Sequence, residues 1–175
     1  MSDDVYVASS WRNKRQPEVV AALRAAGLSV YDFRNPAEGD HGFHWSEIDK
    51  DWQQWTPEQY LDGLEHNLAK SGFCKDFDAL CNAKACALVL PCGRSAHLEF
   101  GYALGQGKPG AILLCSGEPE LMNMMADFLT PDLDKLVKWS ARQIDWVKNV
   151  DAVVHGRPLL PCPTCGSAKP CECWR

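Results

Sequence analysis

Apolar and polar positions along the chain fall into short blocks with two different periods. Residues 4–9, DVYVAS, form a brief apolar run that reads as a strand. The following stretch, PEVVAALRAAG from Pro17, sets Val19, Val20, Leu23 and Ala26 at helical spacing and stops at Gly27. LSVYDF at 28–33 reads as a second strand. A strand, a helix and a strand at this spacing predict a parallel pair joined by a right-handed crossover.

The rhythm breaks over residues 34–56, which are rich in Gly, Pro, Asp and aromatics. So long a loop inside a compact domain is usually functional. Trp45, Trp52 and Trp55 argue against full disorder, so the segment is expected to be a lid or pocket wall. Thr56-Pro57 then opens a helix through about Lys70, with Thr as N-cap and Pro at the first helical position. A second short helix is expected near 74–83, a buried strand at 85–91, a helix at 95–107 and a strand at 109–115. Residues 118–127 look helical, and ADFLT reads as an edge strand. A last helix starts after Thr130-Pro131, with Leu133, Leu136, Val137, Ile144 and Val147 on one face. Alternating strands and helices predict an α/β fold: a doubly wound, mostly parallel sheet with helices on both faces. Ligands of such sheets sit at the carboxyl ends of the strands. The loop after the first strand (9–15), the aromatic loop and the turn at 91–95 meet there.

The 175 residues suffice for one domain, expected over 1–156, plus a Cys- and Pro-rich tail over 157–175. No apolar run approaches the roughly 20 residues of a membrane helix, so no membrane partner is expected. The first residues lack a basic stretch followed by an apolar core, so no signal peptide is expected. Net charge is −5, which argues against wrapping long nucleic acid but leaves room for a small anion in a local basic pocket. Nine cysteines in an acidic chain point to a reducing, cytoplasmic compartment. Most of Cys74, Cys81, Cys86, Cys92 and Cys115 are expected to be inert core thiols.

The chemistry concentrates in LVLPCGRSAHLEFGYALGQGKP. A buried strand ends at Pro91, and CGRS leads directly into a helix. Gly93 suits a sharp turn, and the unpaired first N–H groups of the helix attract anions. Arg94 adds a charged fork. Glu99 lies one turn beyond Ser95, roughly 6 Å along the axis. One helix thus offers an anion site at its tip and a carboxylate at the distance of a ribose anomeric carbon. Leu98, Phe100, Ala103 and Leu104 suggest a helix buried on most sides, where an ionised Glu is seldom idle. His97 shows no Ser or Cys partner at useful spacing and reads as a solvated helix position. Phe43, His44 and Trp45 are candidates for stacking a base.

EFGYALGQGKP, with VYVASSW near the start and KDFDAL in the middle, resembles the nucleoside 2-deoxyribosyltransferase family over about residues 4–116. The resemblance implies a flavodoxin-like fold, Glu99 as nucleophile, Asp76 beside the base and the reacting centre, and Tyr6 as the residue that orients the nucleophile. It also implies an oligomer whose sites borrow residues from a neighbouring subunit. A carboxylate of ordinary pKa, about 4.3, is ionised at neutral pH and can form a glycosyl ester at C1′. Asp76 then manages the proton on the leaving base, and a second base or water takes the sugar. Family members usually carry an Asp six residues before the nucleophile; this chain has Gly93, then Arg94 and Ser95. Ser9-Ser10-Trp11-Arg12 is similar to the Gly-Ser-x-Arg segment of the related deoxynucleoside 5′-monophosphate N-hydrolases. These departures favour a nucleotide, with Ser9, Ser10, Arg12, Gly93, Arg94, Ser95 and Trp45 as substrate contacts.

In the tail, Cys162 and Cys165 form a C-x-x-C, and Cys171 and Cys173 complete four thiolates suited to a structural zinc, with free thiols as the alternative. Catalysis is expected to need no cofactor. Two other functions fit the same residues: a non-catalytic nucleotide-binding module, and an NAD-glycohydrolase, although no dinucleotide G-x-G-x-x-G turn is present.

Overall fold

The computed structural model describes residues 3–116 and 118–154. Five strands form one all-parallel sheet: β1 (Val5–Ala8), β2 (Val30–Tyr31), β3 (Ala85–Val89), β4 (Gly110–Leu113) and β5 (Phe128–Thr130). Their spatial order is β2-β1-β3-β4-β5, the flavodoxin-like doubly wound arrangement. Strand alternation sorts the side chains onto two faces. Val5, Val7, Val30, Ala87 and Val89 pack with α1 (Gln16–Ala25) and α5 (Leu133–Val154) through Val19, Leu23, Leu136 and Ile144. Tyr6, Ala8, Tyr31, Cys86 and Leu88 pack with α3 (Asn67–Asn82) and α4 (Arg94–Gly105) through Leu80, Ala96, Phe100 and Ala103. No helix among the described residues is long and apolar enough to cross a membrane.

Two helical expectations are corrected. The helix opened by Thr56 does carry the expected Thr N-cap, here as a full capping box, Thr56 Oγ1 accepting from Gln59 N and Gln59 Oε1 from Thr56 N. It ends early, however, as α2 (Pro57–Glu65). His66 is extended, and its Nδ1 accepts from Leu68 N, so one residue closes α2 and caps a much longer α3. The segment 118–127 forms only a 3-10 turn at Leu121–Met125, because none of its residues is buried and a longer helix there has no face to pack. ADFLT does supply the edge strand β5.

The amino ends of the strands carry a clamp. Buried Asp4 accepts from Lys84 Nζ at 2.9 Å, Lys148 Nζ at 3.0 Å and Ser29 N at 3.2 Å. It thereby ties β1 to the segments entering β2 and β3 and to α5.

Candidate active site

The strand order reverses between β1 and β3, the switch point at which sheets of this kind bind ligands. Polar side chains tie together the loops that leave these two strands. Ser9 Oγ donates to Val89 O at 2.9 Å, and Asn13 Nδ2 lies 3.1 Å from Ser9 Oγ, Val89 O and Pro91 O. From the loop after β2, Arg34 Nη2 donates to the carbonyls of Ser10, Trp11 and Asn13 at 2.8–2.9 Å. Its guanidinium also lies 5.7 Å from the ring centres of Trp11 and Phe33. The β1 loop is therefore fixed from both sides. Ser9 is committed to these bonds, Ser10 Oγ accepts from Arg12 N, and Arg12 itself is exposed.

On the α3/α4 side of the sheet two carboxyls and two phenols come together. Glu99, in the second turn of α4, has its pKa raised from the ordinary 4.5 to about 7. Burial is the main cause and the charge of Asp76 the second, while a hydrogen bond from Tyr6 opposes them. The sequence-based picture of an unperturbed, fully ionised Glu99 is thus corrected: near neutrality the group is divided between its two forms. Asp76, on α3, is also raised, again chiefly by burial, against a hydrogen bond from Tyr31. Tyr31 Oη donates to Asp76 Oδ1 at 2.8 Å. Tyr6 and Tyr31 are register partners on β1 and β2, and their rings stack at 5.3 Å with 13° between planes. Burial first and the neighbouring acids second push both phenols far above their ordinary range, so each remains a proton donor at neutral pH.

Asp76 also borders a cavity of about 120 Å³ roofed by the long loop and lined in addition by Asp40, Phe43, Glu47, Gly72 and Lys75. The loop is a packed wall. Gly42, at φ 69°, leaves room for the carbonyl of Phe33, where any Cβ would collide. A Cβ at Gly72 would stand 2.6 Å from that of Phe43. Lys75 Nζ bonds Asp40 Oδ2 at 2.6 Å, fastening the loop to α3. Phe43 is the aromatic at the cavity. Trp45 packs instead among Phe43, Trp55 and Tyr60, with ring centres 5.0–5.8 Å apart.

At the β3–α4 turn, Gly93 is the N-cap in an ordinary extended conformation (φ −85°), so the turn does not depend on glycine's freedom. No side chain caps α4, and Arg94 and Ser95 are exposed in its first turn. His97 does have a thiol partner after all: Cys92 Sγ lies 3.3 Å from its Nδ1, which is also 3.3 Å from Gly93 O. Spacing along the sequence hides this, because the turn folds Cys92 back onto the helix. Burial, then Glu99, pushes the Cys92 thiol up to about 11, so the pair is no thiolate nucleophile. Of the five scattered cysteines Cys86 is buried in the core, Cys92 and Cys115 pack half-buried against it, Cys81 is half-buried and Cys74 is exposed. Among the described residues no three His, Cys, Asp or Glu side chains cluster as a metal site. Cys162, Cys165, Cys171 and Cys173, with the tail from residue 157, lie outside the described residues.

Sequence reasoning missed Tyr31, Asn13 and Arg34. A polar ring inside an apolar strand was a signal for Tyr31; the other two act on distant carbonyls and leave none. Fold and site together define a flavodoxin-like α/β protein with a half-buried acid pair near its switch point. No family model and no curated protein matches the chain.

Proposed function

We propose that the protein cleaves the N-glycosidic bond of a (deoxy)nucleoside or its 5′-monophosphate, with Glu99 as nucleophile. The observation that carries this reading is the raised Glu99 carboxyl beside Asp76 and Tyr6 at the switch point. In its ionised form Glu99 attacks C1′ through an oxocarbenium-like transition state. The C1′–N bond breaks, its electron pair passes to the base, and Asp76 supplies the proton. A glycosyl ester on Glu99 results. A second base or water then attacks C1′ and restores the carboxylate. Two neighbouring acids favour one protonated and one ionised partner, which suits this chemistry; that Asp76 holds the proton and Glu99 the charge once the sugar is bound is part of the proposal.

A 5′-phosphate is assigned to the uncapped first turn of α4 with Arg94 and Ser95, joined by Arg12 from the β1 loop. The protein is proposed to work in the cytoplasm and as a homo-oligomer. Incubation with deoxynucleosides, ribonucleosides, their monophosphates and NAD, with and without an acceptor base, tests the reading. Free base alone identifies a hydrolase and a new nucleoside a transferase. Nicotinamide release alone, or tight nucleotide binding without cleavage, replaces it with one of the two competing functions. Glu99→Gln is expected to abolish turnover, and undiminished turnover in that variant removes the mechanism.

A further inference from the structure

The stacked tyrosines each serve a different acid. Register pairing fixes Tyr6 over Tyr31, and the stack lies in the buried layer between the sheet and helices α3 and α4. Tyr6 then reaches Glu99, while the Tyr31 hydroxyl meets Asp76 Oδ1 at 2.8 Å. No hydrogen bond to Asp76 Oδ2 is present among the described residues, and Asp76 borders the cavity under the long loop. A carboxyl on a broad, two-fold torsion exchanges its oxygens readily unless one is held.

We propose that Tyr31 is a positioning residue: it anchors Oδ1 of Asp76, so that Oδ2 is the oxygen that carries the proton and hands it to the leaving base. This inference rests on the glycosidic reading above. As the C1′–N electron pair moves onto the base, the proton leaves Oδ2 and Asp76 becomes a carboxylate. The Tyr31–Oδ1 bond strengthens at that moment, because a donor binds an ionised acceptor more tightly than a neutral one. The stabilisation is therefore greater in the transition state than in the ground state. Other groups facing Asp76 are Lys75 on its own helix, Asp40 from the long loop, Glu99 from α4 and Tyr6 from β1. Lys75 and Asp40 are paired with each other, which leaves Tyr31 as the donor in contact with the acid among the described residues.

The test is Tyr31→Phe in the full chain, which keeps the ring stack and removes only the hydroxyl. Two measurements are made: the pH dependence of kcat and KM, and the titration of the Asp76 side-chain carbon by NMR, identified by its loss in Asp76→Asn. A lost donor to a carboxylate raises its pKa, so the midpoint of Asp76 and the alkaline limb of kcat/KM are expected to move up by about one pH unit. kcat is expected to fall about 10-fold or more with KM nearly unchanged. Introduced into Asp76→Asn, the same change is expected to cost nothing further. An active wild type whose Tyr31→Phe variant keeps its midpoint and its profile, or loses equally in the Asp76→Asn background, overturns the role of Tyr31 alone. A wild type that turns over no nucleoside or nucleotide overturns the glycosidic reading, and the acid step with it.

Discussion

Replacing Glu99 by Gln is expected to stabilise the protein, and increasingly so as pH rises. The rise of its pKa from 4.5 to about 7 measures how far the fold disfavours the ionised form, about 3 kcal/mol at 1.36 kcal/mol per pH unit. Below pH 4.5 both the folded and the unfolded chain hold the proton, and nothing is lost. Between that value and about 7 the unfolded chain gives up its proton while the folded chain keeps it, so stability falls as pH rises. Above about 7 both states are ionised and the whole penalty persists.

Gln has nearly the same shape, keeps an oxygen to accept from Tyr6, and never ionises. The variant's advantage is therefore expected to grow from about 1 kcal/mol at about pH 5 to about 3 kcal/mol at about pH 8. Urea unfolding of both proteins across that range reads the difference directly, provided the slope with denaturant stays common to both. A gap that is flat with pH, or that narrows as pH rises, refutes the buried-acid account of Glu99. The same ionisation appears in catalysis with the opposite sign: the proposed nucleophile works only deprotonated, so kcat/KM is expected to climb through about pH 7.

The clamp at the other end of the sheet behaves in the reverse manner. Burial pushes the Asp4 carboxyl up, but hydrogen bonds from Lys84, Lys148 and Ser29 outweigh it and hold the group below 3.8. Asp4→Asn is expected to cost about 3 kcal/mol at neutral pH by denaturant unfolding. That cost should shrink as pH falls below 3.8, where the unfolded chain takes up the proton first and the folded carboxyl follows at its lower value; a gap undiminished in strong acid excludes the ion-pair explanation. Gly72→Ala forces a methyl against Phe43 and is expected to cost about 1–3 kcal/mol and to lower turnover by shifting the cavity wall. Wild-type values in both measurements mean that the long loop yields instead.

The sequence revealed those parts of the fold whose cause is local. β1, β3 and β4 are buried along their whole length, so each shows as a short uninterrupted apolar run. The Thr56 cap was legible because a Thr followed by Pro marks a helix start within two adjacent residues. The break at His66 was not, since it depends on a ring nitrogen turning back to Leu68 N. Glu99 could be picked out from its own helix, but its raised pKa could not. That property comes from burial and from Asp76 on another helix. Tyr31 acquires meaning only through a register that brings it over Tyr6. Asn13 and Arg34 bind main-chain carbonyls, which carry no side-chain signature.

The two ends of the sheet treat buried acids in opposite ways, and the contrast bears on function. At the amino end Asp4 has two lysines and a backbone amide, and its charge is welcome. At the carboxyl end Glu99 and Asp76 are half-buried near one another, and no cation forms an ion pair with either among the described residues. A neutral amide at either position would satisfy the same phenol, so structure alone gives no reason for a carboxyl there. Perturbed acids gather where a proton or a bond must be transferred. The switch-point end of the sheet holds such a pair, each acid with its own tyrosine, and the clamp at the opposite end offsets part of the stability the pair removes.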